Sequence, residues 1–210
     1  MSSSIFRTAA VLIITWLLLL GILSVRGFFS DFTRLPPRLL IALLTPLPVV
    51  LLFIRSKTGK QWLQHIQPQR LVYLQSFRVL VEIALWILVR NGSLPQQMSF
   101  EGRNFDILTG LFAFPVGYYC FVSKRWPPVI ALLYNVAGLV LLVNIVTVTA
   151  LSLPTPLRAF HNEPDSSLVT TFPFIYLPGL LVPLAYTLHI FSLRQYKMVR
   201  QTASRILAPK

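Results

Sequence analysis

The sequence predicts an all-α fold: a polytopic transmembrane helical bundle of about six spans, with both termini on the cytoplasmic side. Three observations predict it. The 210-residue chain is 55% hydrophobic and only 12% charged, with a mean hydropathy of +0.68. Its apolar residues fall into six long runs, and its basic residues are shared unequally among the segments that join those runs. Soluble domains carry about 25% charged residues, and a single soluble core of this size could not hide so much apolar surface, so the bilayer is the expected solvent.

The six runs are 5–25, 39–54, 70–90, 106–123, 127–152 and 174–193. Each reaches or approaches the length needed to cross about 30 Å of hydrocarbon. The first follows one early arginine, Arg7. It exceeds a signal-peptide core of about 7–15 residues and has no clear small-x-small cleavage site, so it reads as a retained span. The second, LLIALLTPLPVVLLFI, is the weakest, because it is short and carries Pro46 and Pro48; a kinked or partly re-entrant segment is expected there. The fourth and sixth also contain prolines (Pro115; Pro178 and Pro183). Such prolines are tolerated where neighbouring helices satisfy the freed carbonyls.

Charge orients the bundle. With six spans, one side holds Arg7, Arg55, Lys57, Lys60, Arg70, Lys124, Arg125, Arg194, Lys197, Arg200, Arg205 and Lys210, twelve basic residues and no acid. The other side holds Arg26, Arg34, Arg38, Arg90, Arg103 and Arg158, six basic residues, against Asp31, Glu101, Asp106, Glu163 and Asp165. The positive-inside rule counts lysine and arginine and assigns the first side to the cytoplasm. The net charge of +13 is explained by orientation and by contact with anionic lipid. No aromatic-interleaved basic stripe is present, so nucleic acid is not an expected partner. The chain divides into a six-helix transmembrane domain, 1–193, and a basic cytoplasmic tail, 194–210. That tail is either a weak amphipathic helix on the inner leaflet or a solvated segment.

Polar residues inside the runs are the first candidates for function. In LVYLQSFRVLVEIALWILVR, Arg78 and Glu82 lie four apart on one helix face, with Trp86 continuing the stripe. Charges at this depth are expensive and pair with each other or with other helices. They form either a structural ion pair or part of a pathway. In the fifth run Asn135 and Asn144 are nine residues apart and nearly opposite; each is expected to bond across a helix interface. The single cysteine, Cys120, and His189 both fall toward the cytoplasmic ends of their runs. Cys120 is expected to pack as a small apolar residue and His189 to lie at the interface; no spacing suggests an activated thiolate.

The outer connections hold the remaining polar chemistry. HNEPD offers His161, Glu163 and Asp165, yet lacks the helical HExxH geometry and has Pro164 between its acids, so a turn is expected and no metal site. FEGRNFD is denser: Glu101, Arg103, Asn104 and Asp106 surround Gly102. Asn104 or Asp106 can cap the helix that begins at Ile107, and the set as a whole reads as an outer interaction surface. No nucleophile elbow or phosphate loop accompanies it, so no catalytic residue, cofactor or metal is assigned.

The stretch FRVLVEIALW followed by LPQQMSFEGRNFDILTGL resembles small polytopic proteins that accompany exosortases in Gram-negative bacteria. The resemblance covers a small part of the chain. Exosortases are membrane transpeptidases with a Cys, Arg and His set at the outer side; here the only cysteine lies in GYYCFVSKRW with no matching Arg–His context. The resemblance therefore implies an accessory of a protein-sorting or surface-polymer system in the bacterial inner membrane, not the transpeptidase. An exosortase or another envelope protein is the implied partner, beside membrane lipids. The alternatives are a small transporter or channel using Arg78 and Glu82, and a membrane enzyme acting on a lipid-linked substrate at the outer face.

Overall fold

The computed structural model describes residues 3–207, and all regular structure among them is helical. The helices are α1 (Ser3–Val25), α2 (Leu39–Leu44), α3 (Pro46–Arg55), α4 (Lys57–His65), α5 (Pro68–Tyr73), α6 (Phe77–Arg90), α7 (Ile107–Gly117), α8 (Pro128–Leu151) and α9 (Val182–Leu207). A 3-10 turn at Leu74–Ser76 joins α5 to α6, and a wide π turn at Leu177–Leu181 leads into α9. Among the described residues, four helical stretches are long and apolar enough to cross a membrane: Arg7–Val25, Pro68–Arg90, Pro128–Leu151 and Leu177–Gln201. The basic segment after residue 193 continues α9 without a break as far as Leu207; Ala208, Pro209 and Lys210 lie outside the described residues.

The two other apolar runs depart from simple spans, each for a local reason. Leu39–Arg55 ends at Ser56, where the chain bends by 82° into α4. The Ser56 hydroxyl accepts the Gly59 amide at 2.9 Å, capping α4. Pro46 and Pro48 lie at the start of α3, where a missing amide costs least. The fourth run is helical only over Ile107–Val122, including a π turn at Tyr118–Val122 just after Pro115. Proline removes a ladder donor, and a widened turn is one way the helix absorbs that loss. At 1.5 Å per residue this helix is about 24 Å long, short of the ~30 Å hydrocarbon core.

α8 and α9 pack side by side, and α7 lies against α5 and the start of α6. Glycine allows the latter approach: a Cβ on Gly110 would stand 2.6 Å from Val79 Cγ2 and 2.9 Å from the Val79 nitrogen. α1 is held at the head of the last span, where Trp16 Nε1 donates to the Gly179 carbonyl at 2.8 Å.

Three loops gather at one end as a cap. Ser30 and Thr170 hydroxyls meet at 2.8 Å, Gln97 donates to Ser152 Oγ at 2.8 Å, and Asn162 donates to Gln97 Oε1 at 2.8 Å. Phe29, Leu94, Met98, Leu153 and Val169 fill the space beneath. At the opposite end α4 packs through Trp62 on Phe53 and Phe191, and Gln195 donates to the carbonyls of Leu63 and Ile66.

Burial runs opposite to that of a soluble domain. Arg78, Glu82, Asn104, Asn135 and His189 are buried, while Leu80 is 71% exposed and Val143 64%. An apolar exterior around a polar interior is the arrangement a bilayer stabilises and water does not.

Candidate functional site

The polar interior is organised around α6. Arg78 stands near the middle of the span Pro68–Arg90, and Glu82 one turn further toward the cap. In a bilayer each must find a partner within the protein, because no water replaces one. The sequence pattern leaves open whether they pair with each other or with other helices. In the structure neither forms an ion pair with the other, and each reaches a residue of the 91–106 loop.

Arg78 takes Asp106. Its Nε donates to Asp106 Oδ2 at 2.6 Å, and Nη2 donates to Oδ1. This two-point geometry suits a planar guanidinium facing a carboxylate. The third nitrogen, Nη1, lies 2.9 Å from His189 Nε2. Arginine has donors only, so Nε2 is the acceptor and the imidazole proton resides on Nδ1. Nδ1 then donates to Asn135 Oδ1 at 2.9 Å. That fixes the Asn135 amide, whose nitrogen donates to Ser192 Oγ at 2.9 Å and to the Ala131 carbonyl at 2.6 Å. The chain of contacts Asp106–Arg78–His189–Asn135–Ser192 thus ties α6, α8 and α9 to the head of α7. His189 is neutral and wholly buried within it, which corrects the interfacial position expected from sequence.

Glu82 takes Asn104. The Asn104 amide nitrogen lies 2.7 Å from both carboxyl oxygens and 3.1 Å from the Met98 carbonyl. Its Oδ1 accepts the Asp106 amide at 3.1 Å, so Asn104 shapes the entry to α7. Asp106 occupies the cap position of α7 but makes no side-chain capping bond, since its carboxyl is committed to Arg78.

These contacts move the loop inward. Arg78 is twelve residues from the cap end of α6, which is about 18 Å along the axis, and Asp106 descends to meet it. Irregular backbone at such depth is tolerated only where protein surrounds it. Asn104 and Asp106 are buried accordingly, a correction to their assignment as outer-face residues; Glu101 and Arg103 remain exposed. Glu101 pairs with Arg90 at 2.6 Å. Arg103 lies over the Phe160 ring at 5.0 Å, and its carbonyl accepts the Asn144 amide at 2.7 Å. Asn144 therefore holds the loop, while Asn135 joins α8 to α9.

The other candidates lie apart. Cys120 packs with Val72, Val116 and Ala131. Glu163 pairs with Arg158 at 2.8 Å, and Asp165 accepts the Ser167 amide at 2.8 Å. Among the described residues no group of three or more His, Cys, Asp and Glu side chains is placed to hold a metal ion.

Asp106 and His189 are the partners that sequence reasoning missed. No sequence signal pointed to them: the 106–123 run reads as a crossing helix, and only the structure shows the shorter helix Ile107–Val122 whose head sets Asp106 beside Arg78.

Residues 37–196 match a family described as a domain of unknown function, DUF8737. The match spans most of the chain, which belongs to that family, and includes every residue of the buried network. No curated protein and no solved structure matches.

Proposed function

We propose that this DUF8737 protein is a multi-pass protein of a bacterial cytoplasmic membrane, with about six membrane segments and both termini in the cytoplasm. Its role in this reading is that of an accessory subunit: it docks an exosortase-type sorting or surface-polymer machine at the outer face and does not itself carry out the chemistry. The orientation rests on the twelve basic residues of one side against six on the other; the cap loops belong to the poorer side.

One observation carries the docking reading. The 91–106 loop is clamped from beneath by Asn104 on Glu82 and Asp106 on Arg78, while Glu101, Arg103 and Phe105 stay exposed on it. A surface held in one shape loses less entropy when a partner binds, and arginine and aromatic side chains are enriched in interface cores. The stretch that resembles exosortase-associated proteins is also the stretch whose polar residues meet in this clamp. That supports treating it as one physical unit.

The transport alternative asks Arg78 to exchange partners during a cycle. Three of its nitrogens are engaged by Asp106 and His189, which favours a brace over a moving gate. Co-purification after mild solubilisation tests the docking reading. An exosortase-type partner is expected to be recovered with the wild type, and recovery is expected to fall in a Glu101→Lys/Arg103→Glu variant of unchanged melting behaviour. Failure to recover any envelope protein counts against docking, and turnover of a lipid-linked substrate by the purified protein alone favours the enzyme alternative.

A further inference from the structure

A cavity of about 90 Å³ lies beside Glu82, between α2, α6, α8 and the start of the last span. Its walls are apolar, with Leu43, Leu85, Leu142, Ile145 and Leu181 among them, apart from Arg78, Glu82, Asp106 and Thr149. A void that accepts one water needs about 10–15 Å³, so there is room here for several linked heavy atoms. Along α8 and just past its end the lining extends from Leu142 to Leu153, eleven residues or about 16 Å of helix. The slot therefore runs parallel to the helices, with the charged residues toward its deep end. Leu40 on α2 and Val146, Thr149 and Ala150 on α8 line it and are only half-buried, so it opens sideways between these helices toward lipid.

One carboxyl at the deep end lacks an ionic partner. Arg78 and Asp106 neutralise each other, and His189 is neutral because Nε2 accepts from Arg78. Glu82, 1% exposed, has the Asn104 amide as its hydrogen-bond partner, and among the described residues no Lys, Arg or His forms an ion pair with it. With both carboxyls ionised the cluster carries one negative charge in apolar surroundings, where an uncompensated charge is costly.

We propose that this cavity binds a cationic amphiphile: its protonated amine donates to Glu82, the first few carbons of its alkyl chain fill the slot, and the rest of the chain leaves through the opening between α2 and α8 into the lipid. The ammonium supplies both the missing charge and donors for the carboxyl lone pairs that Asn104 leaves free, and the chain replaces empty apolar volume. An anionic head is repelled by the same carboxyl. Entry is from the membrane, between α2 and α8. This site does not depend on the docking reading, since the exposed docking residues Glu101, Arg103 and Phe105 do not line the cavity.

The full-length protein in a neutral detergent tests it, with dodecylamine, dodecanol and dodecanoate as probes and native mass spectrometry plus melting temperature as readouts. Dodecylamine is expected to give a one-to-one adduct and raise the melting temperature; dodecanoate is expected to do neither. Glu82→Gln keeps an acceptor for Asn104 but removes the charge, and is expected to weaken dodecylamine by at least about thirtyfold, the lower end of the cost of removing one partner of a buried charged pair. Val146→Trp, at the half-buried mouth, is expected to block the adduct while Glu82 remains in position. Equal binding of dodecanol and dodecylamine, unchanged binding in Glu82→Gln, or binding of none of the probes would each overturn the proposal.

Discussion

Arg78 is the residue on which the interior turns, because it is the one fully buried arginine or lysine among the described residues and its whole guanidinium is used. Removing its counter-ion is costly in a specific way. Asp106→Asn leaves a buried charge without a partner, a change worth about 3–5 kcal/mol, and it should lower the unfolding midpoint in detergent micelles accordingly. Replacing both partners by apolar residues, Arg78→Met with Asp106→Leu, should recover most of that loss, since two well-packed hydrophobes substitute for a buried pair at little cost. A double variant as unstable as the single one would mean that the pair does more than balance charge. Asp31 in the 26–38 segment of the cap offers a pH test. The Thr33 hydroxyl and amide, and then Arg38 and Arg34, hold its carboxyl below the ordinary value of 3.8. A lowered acid contributes stability that is complete above that ordinary value and disappears as pH falls through the lowered one. Amide protection factors in this segment, corrected for the intrinsic pH dependence of exchange, should therefore fall only once the pH drops below the ordinary value and through the lowered one, and Asp31→Asn should flatten the response.

At the scale of elements, α7 explains how the loop reaches the interior. Its apolar stretch reads as a crossing helix in the sequence, but its first turn begins at the level of Arg78, and its close contact with α6 depends on Gly110. Gly110→Ala pushes a methyl group into Val79; overpacking of this kind costs about 1–3 kcal/mol. The expected outcome is a lower melting temperature together with faster amide exchange near Asp106, because a displaced α7 loosens the Arg78 contact. Gly92 has φ of 68°, and no atom stands within 4 Å of the place a methyl group would take there, so Gly92→Ala tests backbone strain alone and should leave the Arg78 contact intact. That the second run is weak was legible from its length and its prolines. The 82° bend was not, since it depends on where Ser56 caps α4 and on the aromatic contacts that hold α4 against α9.

For the whole molecule, polar residues gather inside and leucine and valine face outward, so the surrounding medium supplies no hydrogen bonds and every charge has to be settled within the fold. The proposed orientation predicts that a periplasm-active reporter fused after Lys210 stays silent and that the same reporter inserted in the 153–171 loop is active. An active C-terminal fusion would reverse every side assignment. By itself the sequence determined the all-helical class, the apolar runs and three of the buried polar residues, Arg78, Glu82 and Asn135, because composition and run length act locally along the chain. It could not determine which of those residues meet. Arg78 and Glu82 are four apart on one helix face, yet Arg78 joins Asp106 and His189, 28 and 111 residues away. Only the tertiary structure decided that, because in a low-dielectric interior a charge is stabilised by the partner that packing brings to it, whatever the distance along the chain.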